Sequence, residues 1–470
     1  MKKIISQGIG FILLAVVFFS SCKKDQFITS TDADLNLSAD TIRFDTVFTS
    51  STSFTQSFKI FNNNSQKIKL SSIQLMGGSN SSFQININGI SSTEAHDIVL
   101  AANDSMYVFI SVNVDSSNNQ LPFIVRDSIL INYNGNNRFV QLEAFGQNAH
   151  FLRNQKISGN TTWTADLPYV ILGKLQIDTN ATLTIENGCK IYSHADAPIL
   201  VDGTLKVYGR KNNEVIFTGD RLDESYGDLP ASWPGIYFRS TSKDNELTFA
   251  IIKNAKSAVG VYLPSVNNNP KLTIHQCIID NALESGIYSE NSSINADNTL
   301  ISNCGTNVNI DFGGVYNFTN CTAVSYSTIY LPHLNPVLKL SNVKIHNGVT
   351  FVADLHAVFK NCIVWGEGGI GEDEVLVNKD DSHVFNVSFG NCLYKNFDSP
   401  QNCNVTSSIA NIDPIFDSID VFHNYFDFNT TKDISSPAID NGTLTPFNND
   451  LNDYPRLSGL ATDIGCYEKQ

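Results

Sequence analysis

Apolar and polar positions alternate in two different ways along the chain, and the change falls near residue 150. Between residues 41 and 150 apolar side chains recur at every second position in short runs, as in Thr41-Ile42-Arg43-Phe44, Gln56-Ser57-Phe58-Lys59-Ile60-Phe61, Phe83-Gln84-Ile85-Asn86-Ile87 and Met106-Tyr107-Val108-Phe109-Ile110-Ser111-Val112. Asn, Ser and Gly fill the gaps. A period of two sends alternate side chains to opposite faces of a strand, so this stretch predicts an antiparallel β-sandwich. Beyond it the strands stay short and the sequence begins to repeat. Residues 272–281 realign with later segments at a period of 22, which puts Cys277, Thr299, Cys321 and Val343 in one column and Ile279, Ile301, Ala323 and Ile345 in another. Ala250 with Ile252, Cys362 with Val364, and Cys392 with Tyr394 extend both columns at irregular spacing. A fixed period with small or apolar columns marks stacked turns that bury one another's apolar edges.

Two polar columns accompany the apolar ones. Gln276, Asn298, Asn320, Asn342, Asn361 and Asn391 form the first; Asn254, Asn281, Asn303, Ser325, Asn347 and Asn396 form the second. Asn tolerates the left-handed backbone of a tight bend, and at a rung spacing of about 4.8 Å each amide reaches the next. A third strand per turn is expected at Gly286-Ile287-Tyr288, Thr328-Ile329-Tyr330-Leu331 and Thr350-Phe351-Val352, and a looser coil from Ile157 to Phe238 precedes the regular turns. A leucine-rich repeat has a similar length but needs a leucine spacing and a helix that are missing here.

Three strands and 22 residues per turn resemble the right-handed parallel β-helix family to which pectate lyases belong. The strand order of residues 41–150 is similar to Hydin-like, immunoglobulin-type domains, through Phe58 to Asn64, Leu100 to Val112 and Phe139 to Gly146; that resemblance implies a spacer or adhesion module. Asp413-Pro414-Ile415-Phe416, Ser436-Pro437-Ala438-Ile439-Asp440-Asn441-Gly442, Asp450 with Arg456, and Asp463-Ile464-Gly465-Cys466-Tyr467-Glu468 resemble the C-terminal signature of secreted β-helix proteins of the choice-of-anchor Q type. Asp453 and Cys466 depart from that pattern, where Gly and Ala are usual. Open ends of a coil need covering, and the tail is expected to close one of them, its Asp and Arg residues acting as buried partners. The fold class expected is all-β, an N-terminal antiparallel β-sandwich followed by a right-handed parallel β-helix with a C-terminal cap.

The N-terminus changes the picture of where such a protein lives. Lys2 and Lys3 precede an apolar run that ends in Ser20-Ser21-Cys22 followed by Lys23, Lys24 and Asp25, which reads as a signal peptide too short to span a bilayer comfortably. It resembles the lipobox of bacterial lipoproteins, with Phe19 where Leu is commoner; the resemblance implies that Cys22 is acylated and becomes the first residue. The alternative is an ordinary cleaved signal with an incidental Cys. The domains expected are 1–22 signal peptide and lipobox, 23–40 linker, 41–150 sandwich, 151–400 β-helix, and 401–470 final turns and cap. Localisation follows as the cell envelope, lipid-anchored in the outer membrane of a Gram-negative bacterium.

Charge excludes some partners. The net charge of −15, or −17 once Lys2 and Lys3 are removed, disfavours nucleic acid and anionic surfaces. Setting Cys22 aside, the other eight of nine cysteines read mainly as core residues: Cys277 and Cys321 fall two rungs apart, roughly 9.6 Å and beyond disulfide reach, while Cys362 and Cys392 fall on adjacent rungs. No Arg occurs between Arg239 and Arg456, and no outward column of the regular turns gathers carboxylates, so the repeat shows no lyase or hydrolase constellation. The interval from Cys362 to Cys392 is 30 residues, and its inserted segment carries Glu372, Asp373, Glu374, Asp380, Asp381 and His383, a candidate Ca²⁺ or ligand loop whose blander reading is a solvated acidic loop. Trp233 and Tyr226 are candidates for stacking on a sugar, with Trp233 equally readable as a strand residue over the core. Two functions remain: a non-catalytic envelope lipoprotein whose β-helix binds glycan or another envelope protein, and a polysaccharide lyase or glycoside hydrolase with its site in the long loops.

Overall fold

The protein is described from a computed structural model over residues 26–48, 53–114, 123–223, 226–369, 371, 373–430 and 432–470. The chain divides between Asn148 and Ala149 into two compact units.

The first unit is two five-stranded sheets. One runs Leu35–Leu37, Gln56–Asn62, Ser105–Val112, Phe83–Ile87, Ile90–Ser91; the other runs Thr41–Phe48, Asn136–Gln147, Phe123–Tyr133, Ile68–Leu75, Glu94–Leu100. Strand pairing among the described residues is antiparallel except between Thr41–Phe48 and Asn136–Gln147. The period of two does what the pattern dictates: Phe44, Phe58, Ile60, Ile68, Leu70, Val108, Ile110, Ile129 and Ile131 all point into one core. Part of the segment expected as a linker is built into this unit, because Leu35–Leu37 pairs with residues 60–62 and Asp34 is bonded to Asn64.

The second unit is a parallel β-helix of 26 strands in one continuous sheet. Its turns share three faces. The first stacks Thr182–Glu186, Thr204–Tyr208, Asn245–Thr248, Leu272–His275, residues 293–297, residues 315–319, Leu355–Lys360, Phe385–Gly390 and Asn404–Thr406. The second runs from Lys190–Ser193 through Val215–Gly219, Ala250–Lys253, Ile278–Asp280, Leu300–Ser302, Thr322–Tyr326 and Ile363–Glu367 to Leu393–Tyr394 and Ile409–Ala410. The third joins residues 175–177, Ile199–Val201, Ile236–Phe238, Ser257–Tyr262, residues 285–290, residues 306–310, Leu338–Ser341 and Val375–Asn378. Inward side chains make one core along the whole coil, including the stacked rings of Phe318, Phe359 and Phe389 at 5.2 and 4.9 Å.

The first Asn column is real and sets the bend. Gln276, Asn298, Asn320, Asn361 and Asn391 all have φ between 46° and 53°, the left-handed region that Asn adopts at least cost. Phe249 shares the position at φ 45°. Only some amides bond along the column, as Asn361 Nδ2 does to Asn320 Oδ1 at 2.9 Å; in the second column Asn281 Nδ2 bonds Asn254 Oδ1 at 2.8 Å. Cys189, Cys277, Cys304, Cys321, Cys362, Cys392 and Cys466 are buried free thiols, and Cys403 is half-buried.

The 22-residue register breaks after Thr319. The next rung of the first face is Leu355–Lys360, 41 residues on. Asn342, Val343, Ile345 and Asn347 therefore leave the columns expected of them: Leu338–Ser341 belongs to the third face, and Val343–His346 folds against Val349–Val352 as an antiparallel hairpin. Residues 328–331 form no strand.

The tail packs along the side of the coil. Asn391 Nδ2 donates to Asn441 O, Asn361 Nδ2 to Thr443 O, Asn320 Nδ2 to Thr445 Oγ1 and Gln276 Nε2 to Asp450 O, so residues 441–450 climb back over the Asn column. Outward side chains of the second face, Leu300, Val324, Ile363, Trp365 and Leu393, are covered by Phe428, Ala438, Leu451, Ile464, Cys466 and Tyr467. Arg456 is buried with Glu468 at 3.3 Å, donates from Nε to Asn298 Oδ1 at 2.8 Å and from Nη2 to Gly465 O at 2.8 Å. Asp450 accepts from the backbone N–H groups of Asn452, Tyr454 and Glu468, and Asp463 from those of Asp440 and Lys469. These acidic groups hold the strap together.

Candidate functional site

A hollow of about 700 Å³ in the second unit lies at the corner between the third and first faces. Its floor follows from register. Thr273, Asn295 and Asn317 point outward at 22-residue spacing, and Ser293, Val315 and His356 form the neighbouring outward column. Asn317 Nδ2 donates to Asn295 Oδ1 at 2.9 Å, the amide ladder of an Asn column turned to solvent. One wall is the loop 264–270, where Asn267 and Asn269 are pinned by the Asp244 carboxylate at 2.7–2.9 Å. Asp354 and His356 close the other end.

The corner is fixed from beneath. Tyr316 is buried, and its hydroxyl meets Ser289 Oγ, the Ser292 N–H and Gly313 O at 2.8–3.2 Å. Gly314 has φ +112°, and a side chain there would collide with Ser292 O and the Tyr316 hydroxyl, so glycine is required for the floor to come this close. Ser292 Oγ is buried beside the hollow with no partner among the described residues. Lys271 is buried under the rim and donates from Nζ to Arg239 O, Ser240 O and Tyr262 O at 2.6–3.2 Å. Burial pushes this ammonium down to about 8, an effect the three carbonyls oppose because they bind the charged form. Away from Asp354 and His356 the polar groups of the hollow are neutral amides and hydroxyls.

Beside it a bulge assembles a second cluster. The register between the rungs 285–290 and 306–312 shifts after Ser289, which leaves Asp311 as an extra residue turned outward. The Tyr288 hydroxyl lies 2.9 Å from Asp311 Oδ2 and 3.5 Å from Glu290 Oε2, and Lys344 Nζ, from the hairpin, pairs with Glu290 and lies 3.6 Å from Asp311. Burial and the two carboxylates hold the Tyr288 phenol well above its ordinary range. A column search at 22-residue spacing passes over this pair, because the bulge makes the interval from Glu290 to Asp311 one residue short of a turn.

The sequence-derived candidates are not brought together. Trp233 is buried, its Nε1 donating to Lys253 O at 2.9 Å, so it packs the core and is corrected from the sugar-stacking set. Tyr226 is exposed but the Arg221 guanidinium lies 3.5 Å over its ring. The acidic loop is divided by a core strand, Val375–Asn378. On one side Glu374 is buried against His333 Nε2 at 2.9 Å and the Val337 N–H, and Asp373 accepts from the Phe397 N–H. On the other Asp380 accepts from the Ser382 N–H, Asp381 pairs with Lys379, and His383 Nδ1 meets Ser382 Oγ. Glu372 and Cys22 lie outside the described residues. Among the described residues no three His, Cys, Asp or Glu side chains converge to hold a metal.

No family model matches the chain, and no curated protein matches it. Among solved structures, a family 123 glycoside hydrolase from Clostridium perfringens shares 9% identity over 28% of this chain and 30% of that one, with a TM-score of 0.20. The match thus spans less than a third of that hydrolase. The catalytic unit of a GH87 alpha-1,3-glucanase from Streptomyces thermodiastaticus shares 8% identity over 75% of each chain, with a TM-score of 0.23. A PapD-like domain of human CEP192 shares 12% identity over 27% of this chain and 92% of that one, with a TM-score of 0.18. Scores this low carry no argument about function, and the architecture rests on the strand register instead.

Proposed function

We propose that the chain is a lipid-anchored cell-envelope protein whose β-helix binds a neutral glycan in the corner hollow without transforming it. The observation that carries this reading is the lining: amides of Asn295, Asn317, Asn267 and Asn269 with the Ser292 and Ser293 hydroxyls, and Asp354 and His356 at one end, over a volume within the roughly 300–1,000 Å³ of small-molecule sites. Such groups donate and accept together, as a polyol requires. The basic and apolar leader ending at Cys22 supports anchoring in the outer membrane, and the choice-of-anchor Q type tail supports an exported β-helix protein.

Binding is tested on a glycan array with the full chain in detergent. Capture of neutral glycans that Asn295→Ala with Asn317→Ala abolishes supports the reading; capture that survives both substitutions overturns it. Anchoring is tested separately by feeding cells an alkyne fatty acid. Label on the parent and none on Cys22→Ala is expected, and an unlabelled parent refutes lipidation.

A second reading, hydrolysis, attaches to Glu290 and Asp311, since both carboxylates reach the same phenol and ammonium. Lys344 pairs with both, which favours an ion-paired knot holding the hairpin. Release of reducing ends from a polysaccharide, lost on Glu290→Gln or Asp311→Asn, would replace binding by catalysis.

A further inference from the structure

The sandwich carries a site of its own. In its first sheet, alternation turns Lys59, Gln84, Asn86, Tyr107, Phe109 and Ser111 away from the core. Tyr107 and Phe109 are exposed aromatics two residues apart on the strand Ser105–Val112, with rings 14° from parallel and centroids 5.5 Å apart. Lys59 Nζ lies 4.7 Å from the Tyr107 ring centre. Tyr107 and Lys59 therefore back Phe109, and Phe109 forms the aromatic wall of a hollow of about 360 Å³.

The other lining groups include Thr55, Gln84, Asn86, Ser91 and Ser111. None of the lining residues is charged. Asn86 Oδ1 is buried with no hydrogen-bond partner among the described residues. A buried acceptor without a donor is costly in a native structure and is explained when a ligand supplies the proton. One aromatic face, one unpaired acceptor and a rim of amides and hydroxyls match a ring whose C–H groups are apolar on one side and whose periphery is hydroxylated. The volume lies at the low end of small-molecule sites, which favours a single ring over a protein segment.

We propose that this hollow binds one neutral hexopyranose unit, its C–H face against Phe109 and one hydroxyl donating to Asn86 Oδ1. The assignment makes the sandwich a sugar-binding module in place of a spacer, and it does not depend on the hollow of the β-helix.

The experiment is saturation-transfer NMR on the full chain in detergent with methyl pyranosides of glucose, galactose, mannose and N-acetylglucosamine as probes. In a chain already carrying Asn295→Ala and Asn317→Ala, so that the β-helix hollow does not contribute, transfer to at least one of them is expected, lost on Phe109→Ala and weakened at least tenfold in affinity on Asn86→Leu. Ser91→Trp, which fills the hollow without touching the core, should also abolish it, and Phe139→Ala on the other sheet should leave it intact. Circular dichroism confirms that each variant is folded. Absence of transfer to every probe, or transfer that survives both Phe109→Ala and Ser91→Trp, overturns the inference. Transfer lost only on Asn295→Ala with Asn317→Ala also overturns it, while leaving the proposed function standing.

Discussion

Arg456 is where the strap can be tested most sharply. Its guanidinium is buried against Glu468 and also satisfies Asn298 Oδ1 and Gly465 O. Arg456→Met keeps the volume and removes the charge, leaving the Glu468 carboxylate buried and two acceptors without donors. Burial already raises the Glu468 carboxyl above its usual range. Removing one member of a buried ion pair costs about 3–5 kcal/mol. Stability in a stacked coil is local, so the loss should fall on the strap rather than on the rungs. At about 1.4 kcal/mol per tenfold, strap opening should rise roughly a hundred- to several-thousand-fold. Hydrogen exchange of peptides spanning residues 436–470 measures this directly, and Trp365, buried beneath the strap, reports it by red-shifted emission. Glu468→Gln in the same background should recover part of the protection, since it removes the orphan charge and keeps one oxygen for either the Leu457 or the Asp463 N–H, which bond different oxygens of the carboxylate. Exchange within threefold of the parent, with unchanged emission, would refute the claim that this pair fastens the strap.

Three further outcomes follow from the geometry. Lys271→Met removes a shared donor from three carbonyls under the rim, of which Arg239 O keeps the Ser242 N–H, and at about 1–3 kcal/mol for each buried group left unsatisfied the loop 264–270 should lose protection first, with glycan capture falling alongside it; capture and exchange at parental levels would count against a rim built on Lys271. Asn361→Ala loses bonds to Asn320, Thr443 O and the Thr443 N–H at φ +53°, so it should lower stability by about 2–4 kcal/mol, and Asn361→Gly, which removes the same bonds without the backbone penalty, by about 1 kcal/mol less; equal midpoints in urea for the two variants would exclude the backbone contribution. Burial lifts the Asp280 carboxyl to about 6, and the Asp297 hydrogen bond raises His275. For each the folded state holds the proton more tightly than the unfolded chain, so the contribution to stability is complete at low pH and is lost as pH rises through the folded value. The unfolding temperature should therefore climb as pH falls from above the ordinary imidazole range to about pH 5, with Asp280→Asn flattening the acidic part of the rise; a falling curve would show that other groups dominate.

The architecture was written in the sequence wherever one residue type had to meet one backbone requirement at every rung. Asn at the bend positions is such a case, and its columns located both the turns and the period. What the period concealed were its interruptions. Asn342, Val343, Ile345 and Asn347 match the columns in type yet leave them, because the chain inserts a loop and a hairpin between Thr319 and Leu355 and the similarity of short polar strands hides the change of face. The bulge at Asp311 likewise moves a carboxylate off the 22-residue spacing. Trp233 shows a different limit: a large aromatic beside a polar loop has the same local sequence whether it covers the core or faces a ligand. In the acidic segment 372–383 the charges hide the Val375–Asn378 strand, so the sequence has the composition of a loop.

The strap also sets an order of events. Residues 441–470 lie over rungs made between residues 276 and 391, so the side of the coil is finished only when the chain has passed far beyond it. A product that stops before residue 413 would carry intact rungs but show Leu300, Val324, Ile363, Trp365 and Leu393 as a continuous apolar stripe. Such a chain should bind a dye such as ANS that the finished protein excludes, and the closing segment thereby gives the protein a chemical mark that separates complete copies from interrupted ones.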